Sequence, residues 1–137
     1  MSSNEEKIEF TLELASKHES NIPKLSFLSS ELESNIKQLG ETEVIKESIP
    51  KAKGAFGKIK VISLTKGVKY VLRRISDTLI NSISGQRIRI GTPRGWFFEG
   101  RVKREERDKI VDALLKALAD KKELKQPQSF TMEFDPD

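Results

Sequence analysis

Residues 51–74 carry six lysines, two arginines and no acid, and glycines fall at 54, 57 and 67. Basic residues threaded with glycine are the raw material of a phosphate site, so the spacing decides. The run KGAFGK at 53–58 does not make a P-loop. That motif needs four residues between its glycines, whereas Gly54 and Gly57 enclose two, and it needs a Ser or Thr after the lysine to hold magnesium. The two-residue spacing does match an RNA-clamping Gly-x-x-Gly loop, which requires a helix on each side. Pro50 and the lysines at 51 and 53 argue against the upstream helix. The plainer reading is that the glycines let the chain turn and pass close to a neighbour.

A second basic cluster, RIRIGTPRGWFFEGRVK at 87–103, places Arg87 and Arg89 in alternation with Ile88 and Ile90. The turn composition of 91–95 and the apolar return WFF predict a hairpin. On a regular return strand Trp96, Phe98, Gly100 and Val102 share the face turned to the core. Phe97, Glu99 and Arg101 share the other, with Glu99 able to pair with one of the arginines. Exposed arginines beside an exposed aromatic could stack RNA bases; on this alternation only Phe97 is available, and packing is the favoured reading.

Chemistry of other kinds lacks its reagents. The chain has no cysteine and one histidine, His18, in a polar turn. No Asp/Glu cluster has metal-ligand spacing. Glu105, Glu106 and Asp108 open a helix, where they oppose the positive end of its dipole. The expectation is a non-enzyme with no cofactor and no metal.

The elements that would position these residues read as follows. Residues 7–14 alternate strictly and predict a strand with Ile8, Phe10, Leu12 and Leu14 inward. A helix follows from about Asn21, capped by Ser20 or Asn21, with Pro23 in its first turn and Gly40 as its stop. Residues 43–46 form a short second strand, which Pro50 ends; it would complete a β-α-β unit if parallel to the first. Residues 59–64 fit either a strand or a helix, and we favour a helical or irregular lead-in to the main helix at 66–84, which Gly85 stops. That helix carries Val68, Leu72, Ile75, Leu79 and Ile83 on one stripe, expected against Ile8, Phe10 and Leu12. Its wet face includes Lys69, Arg73 and Arg74. A last helix spans 103–120. Residues 129–134 alternate again, with Phe130, Met132 and Phe134 on one side, and would pair with a sheet edge in this fold or in a partner.

The fold class expected is α+β: a small mixed sheet, made of the N-terminal strand and the Arg-rich hairpin, packed against three helices, with 129–134 as a C-terminal edge strand. We divide the chain into a disordered 1–6, a single domain at 7–124, and a tail at 125–137. Its 137 residues suffice for one core. No apolar run approaches the roughly 20 residues that span a bilayer, and the acidic N-terminus lacks a signal-peptide core, so the expected location is the cytoplasm, off the membrane. The net charge of +4 conceals a polarity: residues 1–50 set five lysines against ten glutamates, and the basic middle follows. Either the two halves neutralise each other in the fold, or the middle presents a basic face to an acidic partner or nucleic acid.

Three stretches carry a family likeness. KIEFTLELA at 7–15, KGAFGKIKVISLTKGVKYVLRRISDTL at 53–79 with Gly57 and Gly67 at small-residue positions, and RIRIGTPRGWFFEGRVK at 87–103 together resemble the effector-associated constant component family of bacterial conflict systems. The resemblance covers about residues 7–120 and rests on structural rather than catalytic motifs. It implies a non-enzymatic adaptor in antiphage defence, coupling an NTP-dependent sensor to an effector such as a protease. The expected partner is therefore a protein, an effector protease or an NTPase. A nucleic-acid- or ribosome-associated protein is the alternative. The residues expected to meet a partner are Lys69, Arg73, Arg74, Arg87, Arg89, Arg101, Phe130, Met132 and Phe134.

Overall fold

A computed structural model describes residues 7–40, 42–48, 55–64, 67–119 and 128–135. The order is β1 (Lys7–Ser16), α1 (Ile22–Lys37), β2 (Thr42–Ser48), β3 (Ala55–Leu64), α2 (Val68–Ile83), β4 (Arg87–Thr92), β5 (Gly95–Arg101), α3 (Arg107–Ala119) and β6 (Gln128–Phe134). The strands form one mixed sheet in the order β2-β3-β1-β6-β4-β5. All neighbours are antiparallel except β1 and β6, which run parallel at the centre. Two split β-α-β units result. In the first, α1 links β1 to β2, which run the same way with β3 between them. In the second, α3 links β5 to β6 with β4 between them. The expected α+β architecture of a mixed sheet and three helices is therefore present.

Alternation dictates which strand face is buried. Phe10, Leu12 and Leu14 of β1, Ile59 and Val61 of β3, Val44 of β2, Ile88 and Ile90 of β4 and Phe98 of β5 are all buried, while Glu9, Thr11, Glu13, Lys58, Lys60 and Arg89 between them are not. The helices cover that one face, and the other is open. Leu25, Leu28, Leu32 and Ile36 of α1 and Leu72, Ile75 and Leu79 of α2 are 0–1% exposed. The α2 stripe is core, as its spacing predicts, but α2 comes closest to α1 and α3 rather than to β1. Ile8 is only half-buried.

Three expectations need correction. Residues 59–64 are strand, not a helical lead-in. Partners on both sides settle the ambiguity, because β1 and β2 flank β3 and Ile59 and Val61 then reach the core in period two. The alternation of 129–134 is a strand, but not an edge strand: β6 lies between β1 and β4, and Phe130, Met132 and Phe134 are 0–1% exposed. Residues 128–135 thus belong to the domain itself. Neither Ser20 nor Asn21 caps α1 through its side chain. Asn21 is buried and donates instead to Ser16 Oγ (3.0 Å) and Asp135 Oδ2 (2.8 Å). Gln86 donates to Asp135 Oδ1 (2.9 Å), so one carboxylate just past β6 ties the start of α1 to the start of β4. Gly40 and Gly85, at φ +81° and +90°, follow α1 and α2 as expected.

Candidate functional site

The expected partner-binding residues fall in three separate places. The apolar trio Phe130, Met132 and Phe134 is spent in the core, where Phe130 stacks on Phe10 at 5.6 Å. The hairpin arginines lie on the open face of the sheet. The α2 cations lie on the outside of the helix layer.

On the open sheet face each of the three hairpin arginines has a partner. Arg89 Nε donates to Glu133 Oε1 at 2.7 Å, its neighbour across the β4–β6 ladder. Arg87 lies 4.0 Å from Glu99, and Arg101 Nη1 donates to the Gly85 carbonyl at 2.9 Å. Lys60 of β3 pairs with Glu9 of β1 at 3.2 Å. The basic stretch at 51–74 is thus split, with its β3 lysines on this face and its α2 cations on the opposite one. Gly57 sits within β3, and the described residues that precede it form the strand β2 and not a helix; Gly54 lies outside the described residues.

The aromatic on this face is Trp96, not Phe97. A register shift between Ile90 and Gly91 places Trp96 opposite Gly91, so Trp96 turns to the open side and Phe97 packs on the core. Trp96 is 43% exposed, and the Arg89 guanidinium stacks on its ring at 3.9 Å. Gly91 is required beneath it, since a Cβ there would come within 2.7 Å of the indole. Regular alternation hides this feature. The signal for it is Gly91 itself, a glycine inside a strand beside a turn.

The helix layer is different. Lys69, Tyr70, Arg73 and Arg74 form two i,i+4 pairs on α2, and Tyr70 is 66% exposed. No described acid pairs with Lys69, Arg73 or Arg74. Lys69 and Arg73 form one wall of a groove of about 300 Å³ between α2 and α3. Val111 and Leu115, both half-buried, line it, and Asp108 and Asp112 stand on the α3 side. Arg107 also borders the groove but is committed to Asp77, through Nε–Oδ1 at 2.6 Å and Nη2–Oδ2 at 3.2 Å. The hydrogen bond first, and the charge of Asp77 second, raise the Arg107 pKa further. Asp112 is answered by Lys116 at 3.1 Å. A wider groove of about 600 Å³ opens between the first turns of α1 and the end of α2, with Phe27 on its rim. Its one cation, Lys24, leans on Gln86 at 3.5 Å.

Among the described residues no three His, Cys, Asp or Glu are placed to hold a metal ion, and none of the helices is long and apolar enough to cross a membrane. His18 is exposed in the turn before α1, its N–H bonded to Ser16 Oγ at 3.1 Å. No family profile, no curated protein and no solved structure matches the chain.

Proposed function

We propose that this chain is a non-catalytic protein-interaction module. Its role would be the adaptor that the family resemblance implies, coupling an NTP-dependent sensor to an effector such as a protease in a bacterial conflict system. The observation that carries the interaction reading is the α2–α3 groove. Its α2 wall holds two cations with no described acid paired to them, two half-buried apolar side chains, Val111 and Leu115, lie between its charged walls, and Tyr70 on the same helix is exposed. Those features fit an amphipathic protein segment with carboxylates along one side and an apolar anchor seated over Val111 and Leu115.

Nucleic acid fits less well. The sheet arginines Arg87 and Arg89 already meet Glu99 and Glu133, Arg101 holds a backbone carbonyl, and Arg89 covers the one exposed indole. Phosphate binding also requires many free cations on one surface, since each neutralised phosphate releases counterion.

The test is a paired titration. A labelled synthetic helix of alternating Glu/Leu faces and a 20-nucleotide single strand are each titrated at physiological salt against the wild type and K69E/R73E. The expected result is saturable peptide binding in the micromolar range, lost in the double variant, with no saturable oligonucleotide binding. Submicromolar oligonucleotide binding with a steep salt slope overturns the reading. Co-purification with the products of adjacent genes then tests the adaptor role itself.

A further inference from the structure

The sheet ends at β5, and among the described residues no strand lies beyond it. Which of its backbone groups are free follows from the ladder. Val102 N–H donates to Gln86 O at 2.9 Å, and its carbonyl accepts from Gly85 N at 2.7 Å, so Val102 turns both groups toward β4. Directions alternate along a strand, and Gly100 and Phe98 likewise pair with Ile88 and Ile90. Glu99 and Arg101 therefore aim their N–H and C=O groups outward, away from the sheet. Their side chains are exposed on the open face and carry opposite charge; Glu99 lies 4.0 Å from Arg87, and Arg101 holds a backbone carbonyl rather than an acid. Edges are commonly blunted by proline, charged side chains, bulges or a short length. From Phe98 to Arg101, β5 has no proline, its bulge lies before Phe98, and its two charges are of opposite sign.

We infer that this edge pairs antiparallel with the same edge of a second copy, centred on Gly100. In that register Glu99 of each copy faces Arg101 of the other, twice over, and both members of each pair have the outward backbone groups needed to exchange hydrogen bonds. Gly100 faces Gly100 at the non-hydrogen-bonded position, where the strands approach to about 4.5 Å between Cα atoms and neither residue brings a side chain. The neighbouring registers select against themselves. Sliding one pair in one direction sets Glu99 against Glu99, and in the other sets Arg101 against Arg101, both destabilising. Registers offset by a single residue oppose an outward residue to an inward one and form no ladder. The short pairing, ended on one side by the shifted register at Trp96, gives a weak, concentration-dependent dimer rather than a permanent one.

Sedimentation equilibrium over the micromolar-to-millimolar range tests this. The wild type should dimerise. E99R and R101E, each placing like charges across the two-fold, should weaken the dimer by about tenfold or more, and E99R/R101E should restore it. A wild type monomeric throughout, singles that dimerise normally, or a double variant that does not recover would each overturn the inference. Amide exchange on the wild type reads the same interface without substitution. The Glu99 and Arg101 amides should gain protection as concentration rises, while that of Gly100 is protected throughout; concentration-independent exchange at Glu99 and Arg101 refutes the pairing.

Discussion

Phe130→Ala should be among the most destabilising single changes in this chain, although Phe130 lies within eight residues of the C-terminus. Phe130 is 1% exposed, paired with Leu12 of β1 and stacked on Phe10 at an interplanar angle of 22°. Truncating a buried phenylalanine costs about 3–5 kcal/mol, the loss of transfer energy plus the cavity. The ring pair contributes on the order of 1 kcal/mol within that range. Against a total stability of about 5–15 kcal/mol for a domain, the loss removes about a fifth or more. With an m-value near 2 kcal/mol/M, the urea midpoint should fall by about 2 M. Circular dichroism measures it. The reasoning behind the size is topological: β6 joins β2-β3-β1 to β4-β5, so loosening it loosens both halves. A midpoint shift below about 0.5 M would mean that β6 is not an interior strand, and the fold described here would fail.

Other consequences are quicker to state. Gly91→Ala drives a Cβ to within 2.7 Å of the Trp96 ring and 2.8 Å of its Cα; we expect a loss on the order of 2 kcal/mol and a red-shifted emission, cleanly read because Trp96 is the sole tryptophan. Asp135→Ala removes the acceptor shared by Asn21 and Gln86. Because Asn21 is buried, about 1–3 kcal/mol should be lost on thermal or chemical denaturation. Ser76→Ala should be neutral or stabilising by up to about 1 kcal/mol, since the Ser76 hydroxyl is fully buried without a hydrogen-bond partner and alanine favours helix. A loss above about 1 kcal/mol would show that the hydroxyl is engaged.

Strong periodicity was legible from sequence. The alternation of β1, the stripes of α1 and α2 and the glycine stops at 40 and 85 all stand where the pattern puts them. What was not legible depended on partners distant in the chain. Residues 59–64 suit either period taken alone, and only β1 and β2 on either side make them a strand. Residues 129–134 show their alternation but not their destination, because nothing local distinguishes a central strand from an edge. The surface suffered from a single shifted register. Strict alternation puts Trp96 inside and Phe97 outside, and the shift beside Gly91 reverses both. The run of cations at 51–74 reads as one basic patch, yet the change from strand to helix within it sends Lys58 and Lys60 to one face of the molecule and Lys69, Arg73 and Arg74 to the other. Linear charge density therefore overstated the continuity of the basic surface, and the pairing of Arg89 with Glu133 across 44 residues of sequence could not be anticipated.

The central claim is that the acidic partner binds the groove between α2 and α3 and not the open face of the sheet. A backbone amide chemical-shift map decides it. Labelled protein is titrated with the acidic Glu/Leu helix and, separately, with the 20-nucleotide strand. The account predicts that the peptide moves resonances of Lys69, Tyr70, Arg73, Val111 and Leu115 in a saturable manner, leaving Arg87, Arg89 and Trp96 in place, and that the oligonucleotide moves neither set at physiological salt. Saturable oligonucleotide shifts centred on Arg87, Arg89 and Trp96, with the α2–α3 groove silent to the peptide, would contradict it.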